Sequence, residues 1–122
     1  MRRERNEGGG HGHRIDRIAE QIREEVGQIV GYELQDERIG FATVTDVRVT
    51  PDLVTARVFV SVLGEPEQRQ ASLAALTRAA AFVRRQLAPR LRTKRVPEIV
   101  FVLDDLLERG NRIEKLLKED DE

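Results

Sequence analysis

The chain has 122 residues, a formal net charge of −1 and no cysteine. Its length suits one domain with a single modest core, and the missing cysteines exclude disulfides, thiolate catalysis and cysteine-ligated metal sites. No run approaches the roughly 20 apolar residues of a membrane span, and the start lacks the apolar segment of a signal peptide, so we expect a cytoplasmic protein without membrane contact.

The first 13 residues, MRRERNEGGGHGH, show no hydrophobic periodicity, so we interpret residues 1–13 as a disordered leader. His11 and His13 have no third ligand type nearby, and we expect no metal there. From Ile15 onward, apolar residues recur at helical spacing, which predicts a first helix ending near LQDERIG. Its apolar stripe consists of Ile15, Ile18, Ile22, Val26, Ile29 and Val30.

Two β-rich runs follow, FATVTDVRV and VTARVFVSVL, separated by a turn around Pro51 and Asp52. In the second run small or branched apolar residues alternate with Thr55, Arg57, Phe59 and Ser61. Alternation with a period of two is typical of a strand that buries one face. The two runs therefore predict an antiparallel hairpin.

A second helical region extends from about Glu67 to Leu91. Phe82 follows Ala80 by two residues, which is about 200° around a regular helix, so a straight helix would direct the phenylalanine to solvent. We therefore predict a change of helical phase at Ala79, Ala80 and Ala81, with two shorter helices meeting at an interhelical kink. The alternative is one straight helix with an exposed Phe82.

A third strand, VPEIVFVLDD, precedes LLERGNRIEKLLKEDDE, which predicts a short helix and a frayed acidic tail over residues 113–122. The predicted order is helix, strand, strand, helix, helix, strand. This order is typical of an α+β domain whose three-stranded sheet is covered by helices on one face. We place that domain at residues 14–112.

Charge is distributed unevenly along the second half of the chain. Eight basic residues and no acid lie between Arg69 and Pro97, whereas eight acids and four bases follow from Asp104 onward. Such asymmetry points to a polyanionic partner, and the alternative is a solvated, arginine-rich helix face.

Guanidinium groups match phosphate oxygens geometrically, and a row of them along a helix indicates nucleic-acid binding. The candidate RNA-binding residues are Arg78, Arg84, Arg85, Arg90, Arg92, Lys94 and Arg95. The five aromatic residues, Tyr32, Phe41, Phe59, Phe82 and Phe101, all lie in segments predicted to form the core. We therefore expect recognition of phosphates, sugars and shape rather than base stacking.

No arrangement of residues predicts catalysis. Asp46, Asp52, Asp104 and Asp105 lie near strand ends and could hold magnesium for phosphodiester cleavage, but adjacent residues of an extended chain face opposite ways. There is no serine, histidine and acid set and no phosphate-cradling glycine loop. We expect no enzyme activity, metal or cofactor.

Several segments together carry a family resemblance: RIDRIAEQIREEVGQIV, VTDVRVTPDL with the strand after it, ALTRAAAFVRRQLAPRLRTKRVPEIVFVLDD, and RGNRIEKLL. From roughly Arg14 to Leu117 the chain closely resembles the bacterial ribosome-binding factor A family. That resemblance implies a KH-like fold of type II, ordered α-β-β-α-α-β. It also implies a kink of the form Ala, any residue, Gly, and here Ala79, Ala80 and Ala81 occupy it with alanine in place of the glycine.

The same resemblance implies a function: a factor that binds the free small ribosomal subunit, assists processing and folding of its rRNA late in maturation, and has a role in cold adaptation. The sequence shows no exposed apolar seam, so we expect a monomer. Two alternatives remain: a KH-like module for another RNA, and an adaptor whose basic patch meets an acidic protein.

Overall fold

Two long helices and three strands form the part of the chain that the structure, a computed structural model, describes: residues 9–93 and 95–104. In chain order these are α1 (Gly9–Gln28) with a π-helical turn (Ile29–Glu33), β1 (Ala42–Val49), β2 (Thr55–Val62), α2 (Pro66–Leu87) with a 3-10 turn (Ala88–Arg90), and β3 (Glu98–Leu103). The predicted α+β class is confirmed. α1 begins inside the predicted leader, whose residues 1–8 lie outside the described residues, as do the predicted C-terminal helix and tail.

The strands form one sheet in the order β1-β2-β3. β1 pairs antiparallel with β2, which confirms the predicted hairpin, and β2 pairs parallel with β3. The register shifts between Val44 and Asp46, so Thr45 is the extra residue of a bulge. Because β2 and β3 run in the same direction, the chain must return along the sheet between them, and α2 makes this return.

Alternation along β2 supplies the centre of the core. Ala56, Val58 and Val60 are fully buried, while Arg57 between them is exposed, as the sequence pattern predicts. α1 packs against β1 and α2 against β3, so both helices cover the same face of the sheet. The helices contribute buried Ile22 and Val26 from α1, Ile29 from the π-helical turn that follows it, and Leu76, Val83 and Leu87 from α2. The other face, which carries Arg48 and Arg57, is open.

α2 is a single helix through Ala79, Ala80 and Ala81, so the predicted division into two helices is wrong. Phe82 is nevertheless half-buried against the core. At 100° per residue, the buried and half-buried positions of α2 cover an arc about 180° wide, and Ala80 and Phe82 lie near its two edges. The prediction assumed a narrow stripe, whereas a helix lying across a sheet buries a wide one.

The turn between β1 and β2 is held by its own side chains. The Thr50 hydroxyl donates to Asp52 Oδ1 at 2.7 Å, the Val54 amide donates to the same oxygen at 3.1 Å, and the Thr55 amide donates to Thr50 Oγ1 at 3.0 Å. These bonds hold Leu53 at a φ of 63°, which costs a non-glycine residue energy. The hydroxyl of Thr50 and the Val54 amide keep the pKa of Asp52 below its ordinary value.

Replacing Ala81 by glycine tests the continuity of α2. Ala81 is exposed inside the helix, so Ala81→Gly should lower the free energy of unfolding by about 0.5–1 kcal/mol through lost helix propensity. Ala71→Gly, at another exposed position of α2, is the matched control and should cost about the same. Urea unfolding followed by circular dichroism measures both. A neutral or stabilising Ala81→Gly beside a costly Ala71→Gly would mean that the helix is bent at Ala81.

Neutralising Asp52 should change how stability depends on pH. Because its folded-state pKa is lowered, Asp52 contributes stability that is present above its unfolded pKa of about 3.9 and is lost as the pH falls through the folded value. Asp52→Asn should therefore be less stable than wild type at neutral pH, and the difference should shrink as the pH falls below about 3.9, where the unfolded chain begins to bind the proton. Urea unfolding midpoints of the two proteins, measured at neutral pH and at a series of lower pH values, give the difference in stability. A difference that does not change with pH would contradict the assignment.

Candidate nucleic-acid interface

Two of the predicted RNA-binding arginines face one cleft between α2 and β3. Arg78 and Arg84 line it with Ala80 and Ala81, opposite Glu98 at the start of β3. The cavity measures about 300 Å³. We call it the α2–β3 cleft. The small side chains of Ala80 and Ala81 leave the space between the two arginines open, so two of the three alanines that were predicted to form a kink line a cleft here.

The outer face of α2 carries Arg78 and Arg85, which are seven residues apart and therefore about 20° apart around the helix. Both are exposed, and within the described residues neither has a hydrogen bond or an ion pair. Their guanidinium groups are open to an anion from solvent.

Two other candidate arginines bond to other groups of the protein, although Arg84 is itself exposed. Arg84 donates from Nε and Nη2 to the carbonyl oxygen of Val96, at 3.2 and 2.7 Å. Arg90 contacts Glu33 at 2.6 Å and Glu25 at 3.6 Å, and its side chain is only 27% exposed. The hydrogen bond to Glu33 raises the pKa of Arg90 above its ordinary value. Arg90 therefore joins the 3-10 turn to α1 and the π-helical turn.

The remaining candidates lie on the segment between the 3-10 turn and β3, which we call the basic loop (residues 91–97). Leu91 and Pro97 are buried and anchor its two ends. Arg92 and Arg95 are exposed, and Arg95 Nη1 donates to the carbonyl oxygen of Asp52 at 3.4 Å. Lys94 lies outside the described residues.

Two further arginines reach this region from the start of α1, and sequence analysis did not identify them. Arg14 and Arg17 line a cleft of about 520 Å³ with Arg92 and Thr93. An adjoining cavity of about 470 Å³ is lined by Arg14, Arg92, Thr93 and Arg95 together with the β1–β2 turn. We call the two cavities the α1–loop cleft. Along the chain Arg14 and Arg17 look like ordinary polar positions of an amphipathic helix, so no local pattern distinguishes them.

The aromatic residues do not all enter the core. Phe101 is buried and Phe82 half-buried against the core, and Phe59 is half-buried on the opposite face of the sheet. Tyr32 is 75% exposed and Phe41 81% exposed, so the expectation is wrong for Tyr32, Phe41 and Phe59. Phe41 pairs with Leu63 at the end of the hairpin opposite the Thr50–Thr55 turn. The α1–loop cleft adjoins the β1–β2 turn. Phe41 lies at the other end of the hairpin and is therefore far from the arginines of the cleft.

The carboxylates near strand ends are used within the fold. Asp46 accepts from its neighbour's amide and from Arg48 Nε, Asp52 is bonded within the turn, and Asp104 accepts from the Thr45 hydroxyl. Asp105 lies outside the described residues. Between residues 9 and 104, Lys94 apart, no group of three metal-binding side chains occurs, and no helix is long and apolar enough to cross a membrane.

The chain is similar to proteins of one known family along most of its length. The model of the family described as ribosome-binding factor A matches residues 14–117. A ribosome-binding factor A from Desulfitobacterium hafniense is 49% identical over 106 residues, which are 87% of this chain and 85% of that protein.

Two structures from Thermus thermophilus are similar in fold. The crystal structure of that organism's ribosome-binding factor A has a TM-score of 0.65 at 28% identity, over 73% of this chain and 94% of that one. A homology model of the T. thermophilus factor, fitted into the cryo-EM map of a 30S complex, has a TM-score of 0.58 at 30% identity, over 69% and 88%.

The described elements agree with the KH-like fold that the resemblance implied, apart from the unbroken α2. The family match runs through both helices, all three strands and the basic loop. This chain therefore belongs to the ribosome-binding factor A family.

Proposed function

We propose that this chain binds the free small ribosomal subunit in the cytoplasm, late in the subunit's maturation, and assists the processing and folding of its rRNA. Family membership supports the proposal, as does the T. thermophilus homologue fitted into a 30S complex. The observation that carries it is the group of exposed arginines on α2 and the basic loop, in a chain whose formal net charge is only −1.

Phosphate contacts supply the affinity in this proposal. Arg78, Arg85, Arg92 and Arg95 are exposed, and guanidinium groups bind phosphate oxygens through paired, charge-assisted hydrogen bonds. Arg84 and Arg90 hold the loop and the 3-10 turn in position, so that the exposed arginines present a fixed pattern of charge. Such contacts fix orientation on a folded RNA without reading its bases.

Binding by itself can assist rRNA folding. A protein that binds one RNA conformation more tightly than its competitors shifts the population toward that conformation by its differential affinity. Processing then acts on the favoured conformation. The factor leaves when the mature subunit no longer offers the same arrangement of phosphates, and no bond-breaking step by this chain is required.

Sedimentation tests the proposed partner directly. The tagged protein should cosediment with free small subunits, most strongly with immature particles, and should be absent from translating ribosomes. Sucrose gradients of cell extract with immunoblotting of each fraction measure this distribution. Protein that stays at the top of the gradient at low salt would contradict the proposal.

Charge reversal on the outer face of α2 tests the interface. Arg78→Glu with Arg85→Glu should reduce cosedimentation at least tenfold, because two attractive contacts become repulsive ones. Arg48→Glu with Arg57→Glu makes the same charge change on the open face of the sheet and is the matched control. Circular dichroism checks that both variants fold. Equal retention of the two variants would place the interface elsewhere.

A further inference from the structure

We infer that the α1–loop cleft is a second RNA-backbone site, in which Arg14, Arg17, Arg92 and Arg95 bind phosphate groups. The inference rests on the proposed function, because it takes RNA as the ligand. It adds α1 to a surface that the sequence assigns only to α2 and the basic loop, and it gives the molecule two separate phosphate contacts.

The cleft is built from two segments that are distant in sequence. Its two cavities, of about 520 and 470 Å³, share Arg14, Arg92 and Thr93; Arg17 belongs to the first and Arg95 to the second. Arg14 and Arg17 are three residues apart on a helix, where neighbouring side chains start about 5–6 Å apart. That separation is comparable to the distance between successive phosphates of one strand.

The walls of the cleft are fixed before any ligand arrives. Gln21 Nε2 donates to the carbonyl oxygen of Arg90 at 3.0 Å, and Arg90 in turn contacts Glu25 and Glu33. These bonds join α1 to the residues that immediately precede the basic loop. The loop is also anchored at its ends by buried Leu91 and Pro97, so binding has to order mainly the exposed arginine side chains.

Positive charge in the cleft is only partly compensated. Three acids line the two cavities: Glu24, Glu25 and Asp52. Glu25 faces Arg90, and the carboxylate of Asp52 accepts bonds from the Thr50 hydroxyl and the Val54 amide. The Asp52 carboxylate keeps its charge, because both of its donors are neutral, so Glu24 and Asp52 oppose four arginines. An anion that enters the cleft relieves the remaining repulsion among the arginines.

The polar groups of the cleft suit a phosphodiester. The Thr93 hydroxyl oxygen accepts from the Arg95 amide at 3.4 Å, which leaves its own proton available to a phosphate oxygen. Among the described residues that line the two cavities, Ile18 and Leu53 are the only large apolar ones, so these residues offer little surface to the side chains of an acidic peptide. The chemistry favours a polyanion that presents charge and little apolar surface, as the RNA backbone does.

Both clefts adjoin the basic loop. Arg84 lines the α2–β3 cleft and bonds to the loop at Val96, while Arg92 and Arg95 of the same loop line the α1–loop cleft. Contacts at two fixed points restrict the orientation of a bound RNA more than one contact does. The cleft therefore positions the rRNA as well as adding affinity.

Removing two arginines of the cleft tests the inference. Arg14→Ala with Arg92→Ala is compared with Arg48→Ala and Arg57→Ala on the open face, the matched control, and with Arg78→Ala and Arg85→Ala on α2. The probes are a fluorescein-labelled RNA duplex of about 16 base pairs, a length that covers a full turn, and labelled polyglutamate. Fluorescence anisotropy over a range of salt concentrations gives Kd and its salt dependence. Urea unfolding checks each variant.

We expect the cleft variant to bind the duplex about tenfold more weakly, with a log-log salt slope shallower by about 2, because two phosphate contacts are lost. The open-face control should match wild type. Duplex binding equal to that of the control would overturn the inference, and so would a loss confined to polyglutamate, which would indicate an acidic protein partner.

Cosedimentation of the same proteins separates this inference from the proposed function. If wild type and the cleft variant cosediment equally with small subunits while the α2 variant does not, the proposed function stands and the cleft assignment fails. If wild type ignores small subunits but duplex binding still depends on Arg14 and Arg92, the cleft is an RNA site and the proposed function fails.

Discussion

The parallel pairing of β2 with β3 is the constraint on which the rest of the structure depends. Parallel neighbours cannot be joined by a tight turn. The chain therefore leaves the end of β2, returns along the sheet as α2, and begins β3 beside the start of β2. The end of α2 and the basic loop are thereby carried to the end of the sheet where the β1–β2 turn and the start of α1 also lie. All the arginines of the α1–loop cleft meet there for this reason.

Arginines in this chain have two different tasks, and their surroundings separate them. Arg84 and Arg90 bond to a carbonyl oxygen and to carboxylates, and they fix the loop against the helices. Arg78, Arg85 and Arg92 have no such bonds within the described residues and face solvent. An ion pair at the surface stabilises a fold only modestly, but here it also holds the 3-10 turn before the basic loop against α1, as the proposed binding to a folded RNA requires.

The three alanines of α2 show how a local pattern can be interpreted too narrowly. Alanine has the highest helix propensity, so Ala79, Ala80 and Ala81 favour a continuous helix where glycine would weaken one. The predicted kink followed from placing Phe82 relative to Ala80 alone. In the folded chain α2 lies on β3 and buries nearly half its circumference, and Phe82 occupies one edge of that arc. Ala80 and Ala81 instead line the α2–β3 cleft between Arg78 and Arg84.

Local periodicity was enough to predict the hairpin, the buried side of β2, the amphipathic α1 and the basic character of residues 69–97, because each depends on residues close in sequence. It could not predict that Arg90 faces Glu33, that Phe41 is exposed, or that Arg14 and Arg17 lie beside Arg92. These features depend on which segments the sheet brings together over separations of tens of residues. Local sequence was therefore sufficient for the helices, the strands and the charge that they carry. Which arginines bond to other groups of the protein and which line a cleft depended on the folded structure, since hydrogen bonding and burial are set by neighbours in space.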